Sequence, residues 1–96
     1  MLIKFRDFSE NFSTRRQGIA FRELILSNLK EGNKIQFDFK DVFIISNSFA
    51  DECFGKLLDE IDFKDLQSNT TFINTEGIIK NVISYAVKQR LNELVN

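Results

Sequence analysis

Three small polar residues, Ser46, Asn47 and Ser48, separate the apolar run Val42–Ile45 from a helix-like stretch that opens on Phe49 and carries Asp51 and Glu52. Two kinds of chemistry suit a hydroxyl at such a junction. Ser48 with Asp51 three residues on has the form of a capping box, with Asp as a shorter stand-in for Glu. Alternatively Ser48 takes a phosphate, which adds about −1.5 to −2 charges. The free amides of the helix start would welcome that charge, and Asp51 and Glu52 would repel it. Both readings stay open, with Ser48 as cap and as candidate phosphorylation switch.

Ser46, Asn47, Phe49, Asp51, Glu52, Gly55 and Arg16 are the candidates for a partner-binding surface around Ser48. Phe49 falls about a third of a turn off the apolar stripe of its helix. It is therefore either a boundary core residue or an exposed aromatic anchor of the kind enriched at interfaces. Gly55 lies opposite the stripe, where a glycine costs about 1 kcal/mol relative to Ala. It is either tolerated there or admits a partner backbone.

Other chemistry is poorly supplied. The chain has no histidine and a single cysteine, so the commonest general base and metal ligand are absent and no internal disulfide can form. Cys53 sits inside the apolar stripe and reads as a buried, inert thiol. Asp51, Glu52, Asp59, Glu60 and Asp62 crowd one helix and its end, a pattern expected of a solvent-facing charged face. A catalytic reading needs a deep polar cleft joining Asp38 to Ser48. The expectation is a protein that is not an enzyme and holds no metal or cofactor. The alternative is a nucleotide or phosphate sensor built from Arg15, Arg16 and Gly18 at the start of the first helix. With 13 basic and 14 acidic residues and a net charge of −1, nothing drives binding to a nucleic-acid backbone. No apolar run approaches the roughly 20 residues of a membrane span, and Lys4, Arg6 and Asp7 interrupt the N-terminal stretch. A cytoplasmic protein with no membrane role is expected.

The elements that must position these residues alternate along 96 residues, which fit one domain, 1–96. Leu2–Phe8 reads as a strand. Thr14 with Gln17 resembles a capping box for a helix running to about Glu31, where Gly32 and Asn33 end it. Ile35, Phe37 and Phe39 alternate with Gln36 and Asp38 as in a strand. Lys40-Asp41 turns the chain into Val42–Ile45, a short buried stretch. A second helix spans about Ser48 to Ile61, with Ala50, Cys53, Phe54, Leu57, Leu58 and Ile61 as its stripe. Residues 71–74 read as a short strand, and Thr75 caps a last helix from about Glu76 to Leu94. That helix carries Ile78, Ile79, Val82, Ile83 and Ala86, then Val87, Leu91 and Leu94, which leaves open whether it is buried widely or offers a self-association surface. The fold class expected is α/β, a small mixed sheet of about four strands with about three helices packed on it.

The stretch from Ile35 to Leu58 resembles the STAS-like family known as a domain of unknown function (DUF4325). The resemblance rests on Asp38-Phe39, the apolar segment Val42–Ile45, the block Ser48-Phe49-Ala50-Asp51-Glu52, and Arg16 with Gly18 before the first helix. That family is similar to bacterial STAS domains, the anti-sigma-factor antagonists, in which a serine in an Asp-Ser-Ser-Gly turn is phosphorylated by a partner kinase. Laid on this chain, Ser46 stands at the Asp, Asn47 at the first serine, Ser48 at the phosphorylated serine and Phe49 at the glycine. The resemblance implies a signalling regulator that binds a protein partner, a kinase-like ATPase or another regulator, through the corner at residues 46–52. A small constitutive scaffold or dimerisation protein with no switch remains the plainer version.

Overall fold

A computed structural model describes residues 1–95. The strands are β1 (Leu2–Lys4), β2 (Ile35–Asp38) and β3 (Thr70–Ile73); the α-helices are α1 (Arg15–Lys30), α2 (Asn47–Cys53), α3 (Phe63–Asn69) and α4 (Gly77–Val95). The strands form one sheet in the order β1-β2-β3, and both pairings are parallel. Parallel neighbours need long connections. Here α1 lies between β1 and β2 in the chain, and α2 and α3 between β2 and β3.

The expected mixed sheet of about four strands is therefore corrected to three parallel strands among the described residues. The difference lies at Val42–Ile45. Asp41 adopts a left-handed backbone (φ 62°), and the Val42 N–H donates to the Phe39 carbonyl. The chain thus turns straight out of β2 and meets the core at i and i+3. Val42 and Ile45 are buried, whereas Phe43 and Ile44 are 81% and 65% exposed, against the buried stretch expected there. One parallel bridge, Phe12 to Ile45, is all the pairing this segment makes.

β1 also ends sooner than its alternation suggests. Phe5–Asp7 form a 3-10 turn that carries Phe5 into the core, stacked on Phe39 at 4.2 Å and on Phe21 at 4.7 Å between ring centroids. The register aligns Ile3, Phe37 and Phe72 across the sheet. In β2, Ile35 and Phe37 are buried and Gln36 is exposed, as alternation requires. Asp38 is buried as well. Its Oδ1 accepts from Asn74 Nδ2 (2.8 Å) and from the Lys40 N–H (2.9 Å), and these bonds hold its carboxyl below the ordinary range.

The Thr14–Gln17 capping box forms as the sequence predicts, and Gly32 ends α1 with φ 85°. The single helix expected over 48–61 does not form. α2 stops at Cys53, and Gly55–Asp59 continue as a 3-10 helix that keeps Leu57 and Leu58 in the core. α3 escapes the sequence reading because Phe63 and Leu66 are its only apolar residues, too few to show a period. Thr75 does not cap α4; its hydroxyl donates to the Ile73 carbonyl instead. α4 buries Ile79, Ile83 and Ala86 and leaves Ile78 exposed, so its apolar side is narrower than the sequence stripe. Among the described residues no helix is long and apolar enough to cross a membrane.

Candidate functional site: the α1–α2 corner

Ser46, not Ser48, caps α2. The Ser46 Oγ accepts from the Phe49 N–H at 3.0 Å and donates to the Ser13 carbonyl at 3.0 Å, while its own N–H donates to the Phe12 carbonyl. The helix begins earlier than the sequence reading placed it, because Ser46 has an acceptor in the chain before α1 that local sequence cannot reveal. Ser48 falls inside the first turn, half-buried, and its hydroxyl makes no hydrogen bond among the described residues. Asp51 does not close a capping box with it.

Asp51 and Glu52 belong to a charge cluster instead. Glu52 is only 4% exposed. Its Oε1 accepts from Lys56 (2.7 Å) and Arg15 (3.0 Å), and its Oε2 from Arg22 (2.9 Å), which also donates to the Glu52 backbone carbonyl. The Lys56 bond leads, and with those of Arg22 and Arg15 it outweighs burial, so the carboxyl is pulled down to about 2. Burial is the largest single influence on Asp51 and pushes it up. Hydrogen bonds from Arg15 (2.9 Å) and Arg90 (3.1 Å) more than offset it, and the net shift is downward. Arg90 also reaches Glu93 at 3.2 Å. The acidic helix face expected of α2 is thus a neutralised network tying α1, α2 and α4 together, and Glu52 is not a surface residue.

Gly18 explains how the two helices come so close. A Cβ on it would sit 2.6 Å from the Glu52 Cβ and 2.9 Å from the Phe49 carbonyl oxygen. Only glycine fits there without displacing backbone. The phosphate cradle of the alternative reading does not form around Gly18, since the glycine is covered by α2 and Arg15 is engaged by two carboxylates. Arg16, a candidate for the partner-binding surface, is exposed and makes no ion pair among the described residues, whereas its neighbour Arg15 pairs with Asp51 and Glu52. Arg22 was missed altogether, although it lies one helical turn beyond Gly18, on the same side of α1.

Three further readings that the sequence leaves open are narrowed. Phe49 is fully buried, its ring 5.2 Å from that of Phe12 and 5.9 Å from that of Phe21, so it is core and not an exposed anchor. Gly55 does admit a close backbone, but that of α4: its Cβ would lie 3.2 Å from the Ala86 carbonyl oxygen. Asp38 is absent from the shallow pocket of about 300 Å³ that Asn47 and Ser48 share with Arg15, Asp51, Tyr85 and Arg90, so the polar cleft a catalytic reading needs is not assembled there. Cys53 is fully buried, and burial pushes its thiol well above the ordinary value, as suits an inert group. No group of three or more His, Cys, Asp or Glu side chains that could hold a metal stands together among the described residues.

Residues 17–80, two thirds of the chain, match the family model described as a STAS-like domain of unknown function (DUF4325). The chain belongs to that family. The matched span runs from the capping-box Gln17 through Gly18, Arg22, β2, Glu52, Lys56 and β3 into the first turn of α4, and β1, Arg15 and Arg90 lie outside it. No curated protein and no solved structure matches the chain. The fold agrees with the family: this STAS-like domain is a small α/β unit of a three-stranded parallel sheet and four α-helices among its described residues.

Proposed function

We propose that this STAS-like domain is a non-enzymatic regulatory module of the cytoplasm. It docks on a protein partner through Phe43, Ile44, Asn47 and Ser48. The observation that carries the reading is the exposure of Phe43 and Ile44, 81% and 65%, directly before a corner whose backbone is fixed. Ser46 ties that corner to Phe12 and Ser13, and Phe49 is buried behind it. Large apolar side chains presented from a fixed backbone need little ordering on binding, which favours affinity. They take over the anchor role that the sequence suggested for Phe49.

Ser48 is the candidate for control. Relieved of capping, its hydroxyl lines a pocket with Arg15 and Arg90, both engaged with Asp51. A phosphate there would compete with Asp51 for the two guanidiniums, since charge-assisted bonds to phosphate are strong. That competition would loosen the tie between α2 and α4 and alter the docking surface. A kinase-like ATPase or another regulator fits as the partner. Docking without a switch is favoured by one feature: Ser46 and Phe49, standing where the phosphorylated motif has its acid and its glycine, serve here as cap and core.

Affinity capture from the native host, with and without ATP, separates these possibilities. The Phe43→Ser/Ile44→Ser double variant is expected to lose a protein that the wild type retains, with unchanged thermal stability. Equal retention by both would remove the docking role. If Ser48→Asp binds as well as wild type, docking stands and the switch does not.

A further inference from the structure

A second concave surface involves none of the corner residues. A groove of about 820 Å³ opens between α3 and β3 on one side and α4 on the other. Its floor is the core itself, Phe37, Phe54 and Leu57. Phe63, Leu66 and Phe72 line one wall, and Ile83, Val87 and Leu91 the other. Phe72 stays 42% exposed although its ring packs 4.9 Å from that of Phe37, because none of the described residues covers its outer side. The volume falls within the roughly 300–1,000 Å³ of small-molecule sites, which are mostly apolar with a few convergent polar groups.

The polar lining decides what kind of molecule suits it. Among the described residues Lys88 is the only charged side chain lining the groove, and no carboxylate lines it. Lys88 makes no ion pair among the described residues, whereas Arg15, Arg22, Lys56 and Arg90 around the α1–α2 corner are each paired with a carboxylate. Ser84 lies one helical turn before Lys88, with Gln67 and Thr70 as further neutral hydrogen-bonding groups. An apolar slot bearing one unmatched cation is complementary to an apolar chain bearing one anion. We infer that the groove binds a free single-chain amphiphile with an anionic head, its tail against the apolar walls and its head at Lys88. A second protein copy suits it less, since a stable interface wants a patch of about 800 Å² on each partner, not a slot.

Calorimetric titration with dodecanoate, dodecanol and dodecyltrimethylammonium, each below micelle formation, tests this on the whole chain. Wild type is expected to bind dodecanoate saturably at one site. Lys88→Gln is expected to weaken dodecanoate about tenfold, the worth of a charge-assisted contact, and to leave dodecanol unchanged. Lys88→Glu is expected to reverse the preference toward dodecyltrimethylammonium. Lys88 is exposed, so both variants should fold, and melting checks this. Ser84→Phe, which fills the groove, should abolish binding of all three while the protein still melts cooperatively. Lack of saturable dodecanoate binding by wild type overturns the inference. So does a dodecanoate-to-dodecanol ratio that neither Lys88 variant changes, or full binding by folded Ser84→Phe. Two controls name other occupants. Cosedimentation with phosphatidylglycerol vesicles that Ser84→Phe abolishes would assign the groove to a membrane surface. A dimer in sedimentation velocity that dodecanoate does not dissociate and Ser84→Phe does would assign it to a second copy. Either result overturns the free-amphiphile assignment.

Discussion

The α1–α2 contact and the groove beside α4 are built from similar helices and end in opposite states. At the first, two backbones approach until only Gly18 fits, and a buried carboxylate is met by Lys56, Arg22 and Arg15. At the second, aromatic and aliphatic side chains line an open slot, and a lone lysine stands at its margin. The closed contact holds nearly all the residues that the sequence marks as chemical, and the open one holds almost none of them. Conspicuous charged residues can therefore serve the fold, leaving binding capacity to positions whose residue types are ordinary.

This contrast breaks most readily at Glu52. Replacing it with Gln removes the charge that three cations share, and breaking a buried pair from one side costs about 3–5 kcal/mol. Because Lys56 and Arg15 are partly exposed and can turn to water, about 3 kcal/mol is expected in urea unfolding. The loss depends on pH in a defined direction. The glutamate of the unfolded chain takes up its proton near 4.5, and the folded one only near 2. Its contribution is complete above pH 4.5 and disappears as pH falls toward 2. The gap in stability between wild type and Glu52→Gln should close across that window. A gap that stays constant from pH 7 to the acid limit would mean that charge is not what Glu52 contributes.

Gly18 gives the next largest effect. Gly18→Ala gains about 1 kcal/mol of helix propensity, but it places a Cβ 2.6 Å from that of Glu52. Overpacking of this kind costs about 1–3 kcal/mol and sometimes more, and here the obstacle includes the Phe49 carbonyl, which cannot step aside. A net loss of about 2 kcal/mol is expected. The matching enlargement on the open side, Ser84→Val, should change stability by no more than about 0.5 kcal/mol, because the groove has room for it. Equal losses at the two positions would erase the distinction between closed and open contacts.

Much of the scaffold was legible. The Thr14–Gln17 capping box and the alternation of Ile35, Phe37 and Gln36 rest on neighbouring residues, and local rules suffice for them. The DUF4325 resemblance carried the family. What failed were properties that depend on distant partners. Val42–Ile45 reads as a uniform apolar run, and only the turn at Asp41 decides that Phe43 and Ile44 face outward. Asp51 and Glu52 look like a solvated face until Arg15, Arg22 and Arg90 arrive from other helices. Gly18 was noted for phosphate, whereas its purpose lies across the helix contact. The groove left no sequence signal, since its lining comes from three helical segments, two strands and Phe54 between α2 and the 3-10 helix, and no single period reports it.

The smallest effect separates two serines. Ser46 accepts from the Phe49 N–H and donates to the Ser13 carbonyl, so Ser46→Ala removes a helix cap and a tie to the segment before α1. Loss of such a cap costs about 1 kcal/mol. Ser48 has no hydrogen bond among the described residues, and Ser48→Ala should fall within about 0.5 kcal/mol of wild type. Urea unfolding of both variants, compared at equal m-value, reads the difference directly. Should Ser48→Ala be the costlier, Ser48 would be the cap after all and would no longer be free for modification. If Ser46→Ala alone is destabilised, the two hydroxyls divide the tasks of holding the corner and facing outward from it. Phosphorylation is then an assay of Ser48 alone.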